Sequence, residues 1–333
     1  MGLLSAIYGL GLICRRLTVK PHRLSVRVIS VGNLTLGGTG KTPAVIAITE
    51  EATRRGLKPC ILTRGYKGKA KGPCFVPGFQ DPEFSIQEYG DEPALMAERL
   101  RDVPIVKCAD RYKGGQFALN SLPVTAHPSL IFILDDGFQH VRLHRDIDIL
   151  LIDAYNPFGN ERLFPEGKLR EPLSSISRAH VIILTRADMA RVSLETLTLK
   201  VRQYNADAPI FTASHNPSCL AYPSGETASP GMLRNKKIYA FAGIANPFHF
   251  RDILISLGAD IISFKSFRDH HRYKQKDLDK IRAEAAGADI ITTEKDMVKL
   301  RELRLPDNIC ALRIEFVVED GFYNKIFNAL NRV

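Results

Sequence analysis

"NLTLGGTGKTP", residues 33–43, decides the fold. The apolar run "VRVISVG" (26–32) before it reads as a buried strand, and Thr42 to Arg55 after it reads as a helix stopped by Gly56. A glycine-rich loop between strand and helix is the setting in which G-x-x-x-x-G-K-[ST] cradles nucleotide phosphates. The first glycine of that pattern is replaced by Thr35. The motif survives if Thr35 keeps a permitted φ, because Gly37, Gly38 and Gly40 still supply close approach. The loop Thr35, Leu36, Gly37, Gly38, Thr39, Gly40, Lys41, Thr42 is therefore expected to wrap phosphates with its N–H groups at the positive end of a helix. Lys41 would reach the outer phosphates, and the Thr42 hydroxyl would ligate Mg²⁺.

A partner motif lies downstream in "LIFILDDGFQH" (130–140), an apolar strand ending in two acids. Such a strand end supplies the second metal contact in phosphate-loop folds, so Asp135 or Asp136 would hold Mg²⁺ directly or through water. Other strands are read at 59–65, 104–108 and 148–154, with a helix at 91–100 and a small hairpin or excursion in 74–90. After a loop-rich stretch, "YNPFGNERLFPEGKLREPLSS", strands recur at 180–186, 209–213, 237–243, 259–264 and 288–296. Helices are expected at 192–204, 247–257, 275–286 and 320–331. Strands separated by helices give mostly parallel sheets. The expectation is two α/β/α lobes, the N-terminal one of phosphate-loop NTPase type, joined near 155–175: residues 1–25 a separate N-terminal helix, 26–155 the nucleotide-binding domain, 156–333 a second α/β domain. Ligands of open α/β sheets sit at the carboxyl ends of strands, so the loop 35–42, "RGYKGK" (64–69) and "DDGFQH" should share one crevice.

Composition fits that picture. The 333 residues carry 46 Lys and Arg against 36 Asp and Glu, a formal charge of +10, which favours an anionic partner. Nucleic acid is not expected, because no basic module rich in aromatics is visible. The six cysteines contain no C-x-x-C pair, which argues against a zinc site or a disulfide framework. "GLLSAIYGLGLIC" (2–14) is too short to span a bilayer and is followed by Arg15, Arg16, Lys20, Arg23 and Arg27. It reads either as a helix packed on its own domain or as one lying in a membrane interface.

The motifs "SVGNLTLGGTGKTP", "LTRGYKG", "YGDEPALMA", "ADRYKGG", "LDDGFQH", "GKLREPL", "FAGIANP", "FRDHHRY" and "TTEKDMVKL" occur in this order from Ser30 to Leu300. In this the chain resembles the lipid A 4'-kinase (tetraacyldisaccharide 4'-kinase) family, whose loop has the same shape at Thr35. The resemblance implies ATP-dependent phosphorylation of the 4'-hydroxyl of an acylated glucosamine disaccharide 1-phosphate, at the cytoplasmic face of the inner membrane. It also implies a membrane-associated N-terminal helix, and a monomer is expected. It assigns a catalytic pair to Asp91 and His270, with His271 adjacent; because these fall in different expected lobes, chemistry should need the lobes to close. It gives metal binding to Glu92 and substrate contacts to Arg64, Tyr66, Arg111, Gln139 and Arg170. Lys295 is either near the nucleotide or a salt-bridged lysine. Asp91 also reads as the N-cap of the helix containing Pro93. A GTPase switch or metallochaperone is the alternative, with "TRAD" (185–188) and "TEKD" (293–296) as imperfect guanine-reading motifs.

Overall fold

The computed structural model describes residues 2–330. The chain forms two compact units, one made of the residues up to His215 together with those from Phe316 onward, the other of Asn216–Glu315.

The first unit opens with α1 (Leu3–Thr18), then β1 (Arg27–Asn33), α2 (Lys41–Arg54), β2 (Lys58–Thr63), β3 (Cys74–Phe75), α3 (Ile86–Tyr89), α4 (Asp91–Arg99), β4 (Ile105–Lys107), α5 (Arg111–Ser121), β5 (Leu130–Asp135), β6 (Ile147–Asp153), β7 (Val181–Thr185), α6 (Leu194–Arg202) and the start of β8 (Ile210–Ala221). Its sheet runs β8–β7–β6–β1–β5–β2–β4–β3. All these pairings are parallel except β3 on β4. β5 and β6 are buried at every position, as continuous apolar runs in a parallel sheet covered on both faces should be.

In the second unit come the end of β8, β9 (Thr227–Ala228), β10 (Lys237–Ala242), α7 (Pro247–Ser256), β11 (Asp260–Ser266), α8 (Gln275–Ala285), β12 (Asp289–Thr293), α9 (Glu294–Lys299) and most of β13 (Ile309–Val318). The parallel order is β11–β10–β12–β13, and β9 pairs antiparallel with β8. β10 illustrates the period of two. Ile238, Ala240 and Ala242 pack with Phe250, Ile253 and Leu254 of α7, while Tyr239 and Phe241 pack with Leu278 and Ile281 of α8. The chain then returns to the first unit, where α10 (Phe322–Leu330) lies on α2 with Arg55 donating to Asn324 at 2.7 Å and stacking over Phe327.

Two expectations are corrected. The unit boundary falls after His215, not near 155–175, because β6 pairs β7 and β7 pairs β8 in the same sheet as the phosphate loop. The expected strand 288–296 ends at Thr293, whose side chain accepts from the Asp296 N–H and so caps α9. Strand β13 and helix α5 had no sequence expectation. The last residue of the expected helix 320–331 lies outside the described residues.

Candidate active site

β1 ends at Asn33, which is fully buried and works in three directions. Its side-chain amide donates to the Thr35 carbonyl at 2.8 Å, its side-chain oxygen accepts from Lys41 at 3.2 Å, and its carbonyl accepts from Gln139 at 2.8 Å. Thr35 lies in an antiparallel bridge with Leu169: the Leu36 N–H donates to the Lys168 carbonyl and the Arg170 N–H to the Leu34 carbonyl, each at 2.7 Å. Extended backbone here needs no glycine, which is why threonine is tolerated. The same bridge corrects one expectation. The Leu36 N–H, expected to be turned to phosphate, is engaged with the Lys168 carbonyl.

From Gly37 onward the chain turns sharply, with φ of 118° at Gly37 and 84° at Gly40, both in the left-handed region glycine tolerates. A Cβ on Gly40 would lie 2.4 Å from Nε2 of the buried His215. The Gly38 carbonyl accepts from Arg186 at 3.1 Å and the Thr39 carbonyl from the Thr185 hydroxyl at 3.1 Å. Arg186 is itself buried, at φ 55°, and paired with Asp153. Helix α2 then starts at Lys41 without a side-chain cap. The opening N–H groups of a helix have no partner within it, so such an end is a ready anion site.

Beside this loop stand the acids. Asp135 closes β5, is 2% exposed and accepts from the Thr63 hydroxyl at 2.9 Å, while its Oδ1 is buried without a hydrogen-bond partner. Burial, then the charges of Glu92 and Asp136, push its carboxyl up to about 7. Asp136 follows at φ 52° and receives Arg170 at 2.7 and 2.9 Å and Lys41 at 3.6 Å. Burial works to raise its pKa but is outweighed by Lys41, Arg170 and Arg111, which hold it down at about 2. Two adjacent carboxylates are thus driven to opposite ends of the scale by their surroundings.

The remaining residues come from neighbouring strand ends. Asp91 is buried and Glu92 half-buried in the first turn of α4, where acids oppose the helix dipole favourably. The cap position is Gly90, at φ 97° and ψ 163°, so Asp91 is not the N-cap. A Cβ on Gly90 would lie 2.7 Å from the Tyr66 carbonyl, which packs the turn 88–90 onto "RGYKG". Arg64 and Tyr66 themselves are exposed. Arg111, buried at the start of α5, donates to the Ala109 carbonyl at 3.0 Å; burial lowers its pKa and the charges of Asp136 and Asp135 oppose that. His140 is held down to about 4 by burial and by Arg111, and is neutral at pH 7. Gln139 donates to the Asn33 carbonyl and Arg170 to Asp136, so both brace the loop and the acids. The loop, "RGYKGK" and "DDGFQH" do leave the carboxyl ends of adjacent strands β1, β2 and β5.

His270, His271 and Lys295 belong to the second unit. His271 stacks on Phe267 at 4.6 Å between centroids and meets Asp277 at 3.3 Å. His270 sits at φ 59°, its N–H donating to the Gly243 carbonyl at 3.2 Å and its ring 3.7 Å from Asp269. Lys295 pairs with Asp269 at 3.9 Å, in the first turn of α9 rather than at a strand end. Asp296 of "TEKD" is fully buried and takes the Gly243 N–H, the Tyr273 and Thr293 hydroxyls and Lys299.

Sequence reasoning missed Asn33, Arg186 and the segment 168–170 as supports of the loop. "TRAD" was visible, but as a guanine motif; Thr185 and Arg186 instead pin loop carbonyls. An uncapped helix behind a glycine loop, with a lysine and acids at the next strand end, defines a phosphate-loop nucleotide-binding protein.

The family described as Tetraacyldisaccharide-1-P 4'-kinase matches residues 1–331, and the chain belongs to it. Similar proteins named Tetraacyldisaccharide 4'-kinase are found in Anaeromyxobacter sp. (strain Fw109-5), 39% identical over 93% of this chain and 82% of that one, and in Aquifex aeolicus, 37% identical over 90% and 87%. The crystal structure of "apo" form LpxK from Aquifex aeolicus in complex with ATP is similar with a TM-score of 0.78 and 33% identity, over 98% of this chain and 97% of that one.

Proposed function

We propose that the chain is an ATP-dependent kinase that phosphorylates the 4'-hydroxyl of a tetraacyl glucosamine disaccharide 1-phosphate, a step in lipid A synthesis. The observation that carries this reading is the uncapped start of α2 with Lys41 held beside Asp136, in a chain matched along its length by one kinase family. ATP would seat its phosphates on the N–H groups after Leu36, and Lys41 would move from Asp136 to the outer phosphates. The 4'-oxygen attacks the γ-phosphorus, the bond to the β,γ-bridging oxygen breaks, and ADP leaves. Asp91 accepts the hydroxyl proton, and His270 is proposed as the second catalytic residue. Positioning and charge neutralisation contribute most, since the transition state is loose.

The residues suit Mg²⁺. Among the described residues no group of three His, Cys, Asp or Glu could hold a metal alone. Mg²⁺ uses one or two carboxylates with substrate phosphates and water, so this is no obstacle. The orphaned Oδ1 of Asp135, with Glu92, Asp136 and the Thr42 hydroxyl, would provide the protein side. Bound there, the ion would neutralise charge on the β- and γ-phosphates. Arg64, Tyr66 and Arg111 are proposed to meet the acceptor, with Arg suited to bidentate phosphate contact.

No described helix is long and apolar enough to cross a membrane. Helix α1 docks on its own unit through Ser5 to the Leu163 carbonyl, Tyr8 to the Arg170 carbonyl and Arg16 to Glu171. Its outer face shows Leu4, Ile7, Leu10, Ile13 and Leu17, each more than half exposed. We propose that this stripe lies in the cytoplasmic surface of the inner membrane, with a monomeric enzyme beneath it. The GTPase reading is disfavoured because Asp296 is committed to four partners inside its own unit.

The test is direct. Purified protein with ATP, Mg²⁺ and the disaccharide acceptor in detergent is expected to yield the 4'-phosphate. A folded protein that binds ATP but forms no such product would overturn the reading, and tighter binding of GTP than ATP by calorimetry would favour the switch.

A further inference from the structure

Lys107, the last residue of β4, is only 3% exposed, an unusual place for an ammonium group. Its stem runs beneath the "RGYKG" loop. A Cβ on Gly65 would lie 2.5–2.8 Å from its Cγ, Cδ and Cε, and one on Gly68 would lie 2.4 Å from its Nζ. Both glycines therefore leave the passage the lysine occupies. The ammonium emerges to donate to the Glu88 carbonyl. That carbonyl, near the C-terminal end of α3, also accepts the Ala70 N–H at 3.0 Å, while the Lys69 N–H donates to the Gln87 carbonyl at 2.9 Å. Next in the chain are Tyr89, Gly90 and Asp91. Gly90 has a backbone conformation open essentially to glycine alone, so the direction of Asp91 depends on how firmly the turn is gripped from behind.

We propose that Lys107 is a positioning residue for the phosphoryl transfer: it ties β4, the "RGYKG" loop and the turn 88–90 together and thereby aims Asp91. The proposal rests on the kinase reading above. An apolar side chain would fill the same passage without the cost of burying a charge, so packing alone does not call for lysine. What the ammonium adds is a directed, charge-assisted bond to one carbonyl. Burial lowers the lysine's pKa, as expected for a charge kept at a cost.

The experiment compares wild type with Lys107→Met, which keeps the stem and removes the donor. Expected are a melting temperature at or above that of wild type and a fall in kcat on the order of 10- to 100-fold, the scale of a misplaced group, with KM for ATP unchanged. Combined with Asp91→Asn, Lys107→Met is expected to cost nothing further, since its effect passes through Asp91. Hydrogen exchange at Tyr89, Gly90 and Asp91 should quicken in Lys107→Met, a readout that needs no turnover and so separates this proposal from the kinase reading. Unchanged kcat and exchange, or losses that multiply in the double variant, would overturn it. Should Lys107→Met not fold, Lys107→Gln, a neutral donor, decides: faster exchange in the turn with reduced kcat supports the strut, and wild-type values of both remove it.

Discussion

Lys41 and the two aspartates at the end of β5 show how local charge sets chemistry. Lys41 is balanced between Asn33 and Asp136, while Asp136 keeps Arg170 whatever Lys41 does. Lys41→Met is therefore expected to fold normally and to lose turnover by at least ~100-fold, the scale of removing one transition-state donor; a melt and a steady-state assay check both halves. Asp91→Asn should lower kcat by about 10² to 10⁴ with little change in KM, and an effect confined to KM would remove its role as proton acceptor. Asp135 makes a pH prediction. In the unfolded chain it ionises near 4, whereas folded it holds its proton up to about 7. Its stabilising contribution is complete below about pH 4 and is lost as pH rises through 7. Asp136 runs the other way: its contribution is present above about 4 and lost as pH falls toward 2. Without nucleotide, Asp135→Asn should raise the melting temperature at pH 8 and leave it nearly unchanged at pH 4, as thermal melts across that range can establish.

At the scale of elements, α1 has two faces with two tasks. Ser5, Tyr8 and Arg16 bind it to residues 163–171, and residues 168–170 of that segment bridge to the loop at Leu34 and Leu36. Deleting residues 2–14 would therefore disturb the segment that borders the phosphate loop as well as any membrane contact. Substitution on the outer face is the cleaner test. Burial of one large apolar side chain is worth about 1.5–3 kcal/mol, and a basic residue near an anionic surface about 1 kcal/mol. Leu10→Glu with Leu17→Glu is expected to release the protein from anionic vesicles at moderate salt without changing its melting temperature; full sedimentation of the double variant would end the membrane assignment. The elements were legible in the sequence where periodicity is local. The strand 26–32, the helix from Thr42 and the run 130–136 stand within a residue or two of β1, α2 and β5. What stayed hidden is non-local. Nothing in "GKLREPL" announces that its backbone will pair with residues 34–36, and nothing in "TRAD" announces that Arg186 will hold the Gly38 carbonyl. A buried lysine under two glycines has no sequence signature either.

On the scale of the molecule, the sequence misleads about where one unit ends. The loop-rich stretch after Ala154 looks like a linker because glycine and proline punctuate it. In the structure its residues pack back on the first unit: Leu169, Leu173 and Ile176 join Leu34, Phe138 and Ile152 in one core. The second unit is instead the continuous segment Asn216–Glu315, with its own two-faced core around β10 and β12. A continuous segment of that kind, with apolar side chains on both faces of a parallel sheet, meets the requirements of an independent domain. Its Asp296 network ties β10, β12 and α9 together without help from outside. Expressed alone, residues 216–315 are expected to melt cooperatively, at a midpoint that millimolar ATP does not move. Asp296→Ala in that fragment would strand a buried lysine and two hydroxyls and should abolish the transition, since breaking a buried ion pair costs about 3–5 kcal/mol, a large share of a small domain's stability. A fragment that melts without cooperativity before any substitution would mean that the segment depends on the rest of the chain for its fold.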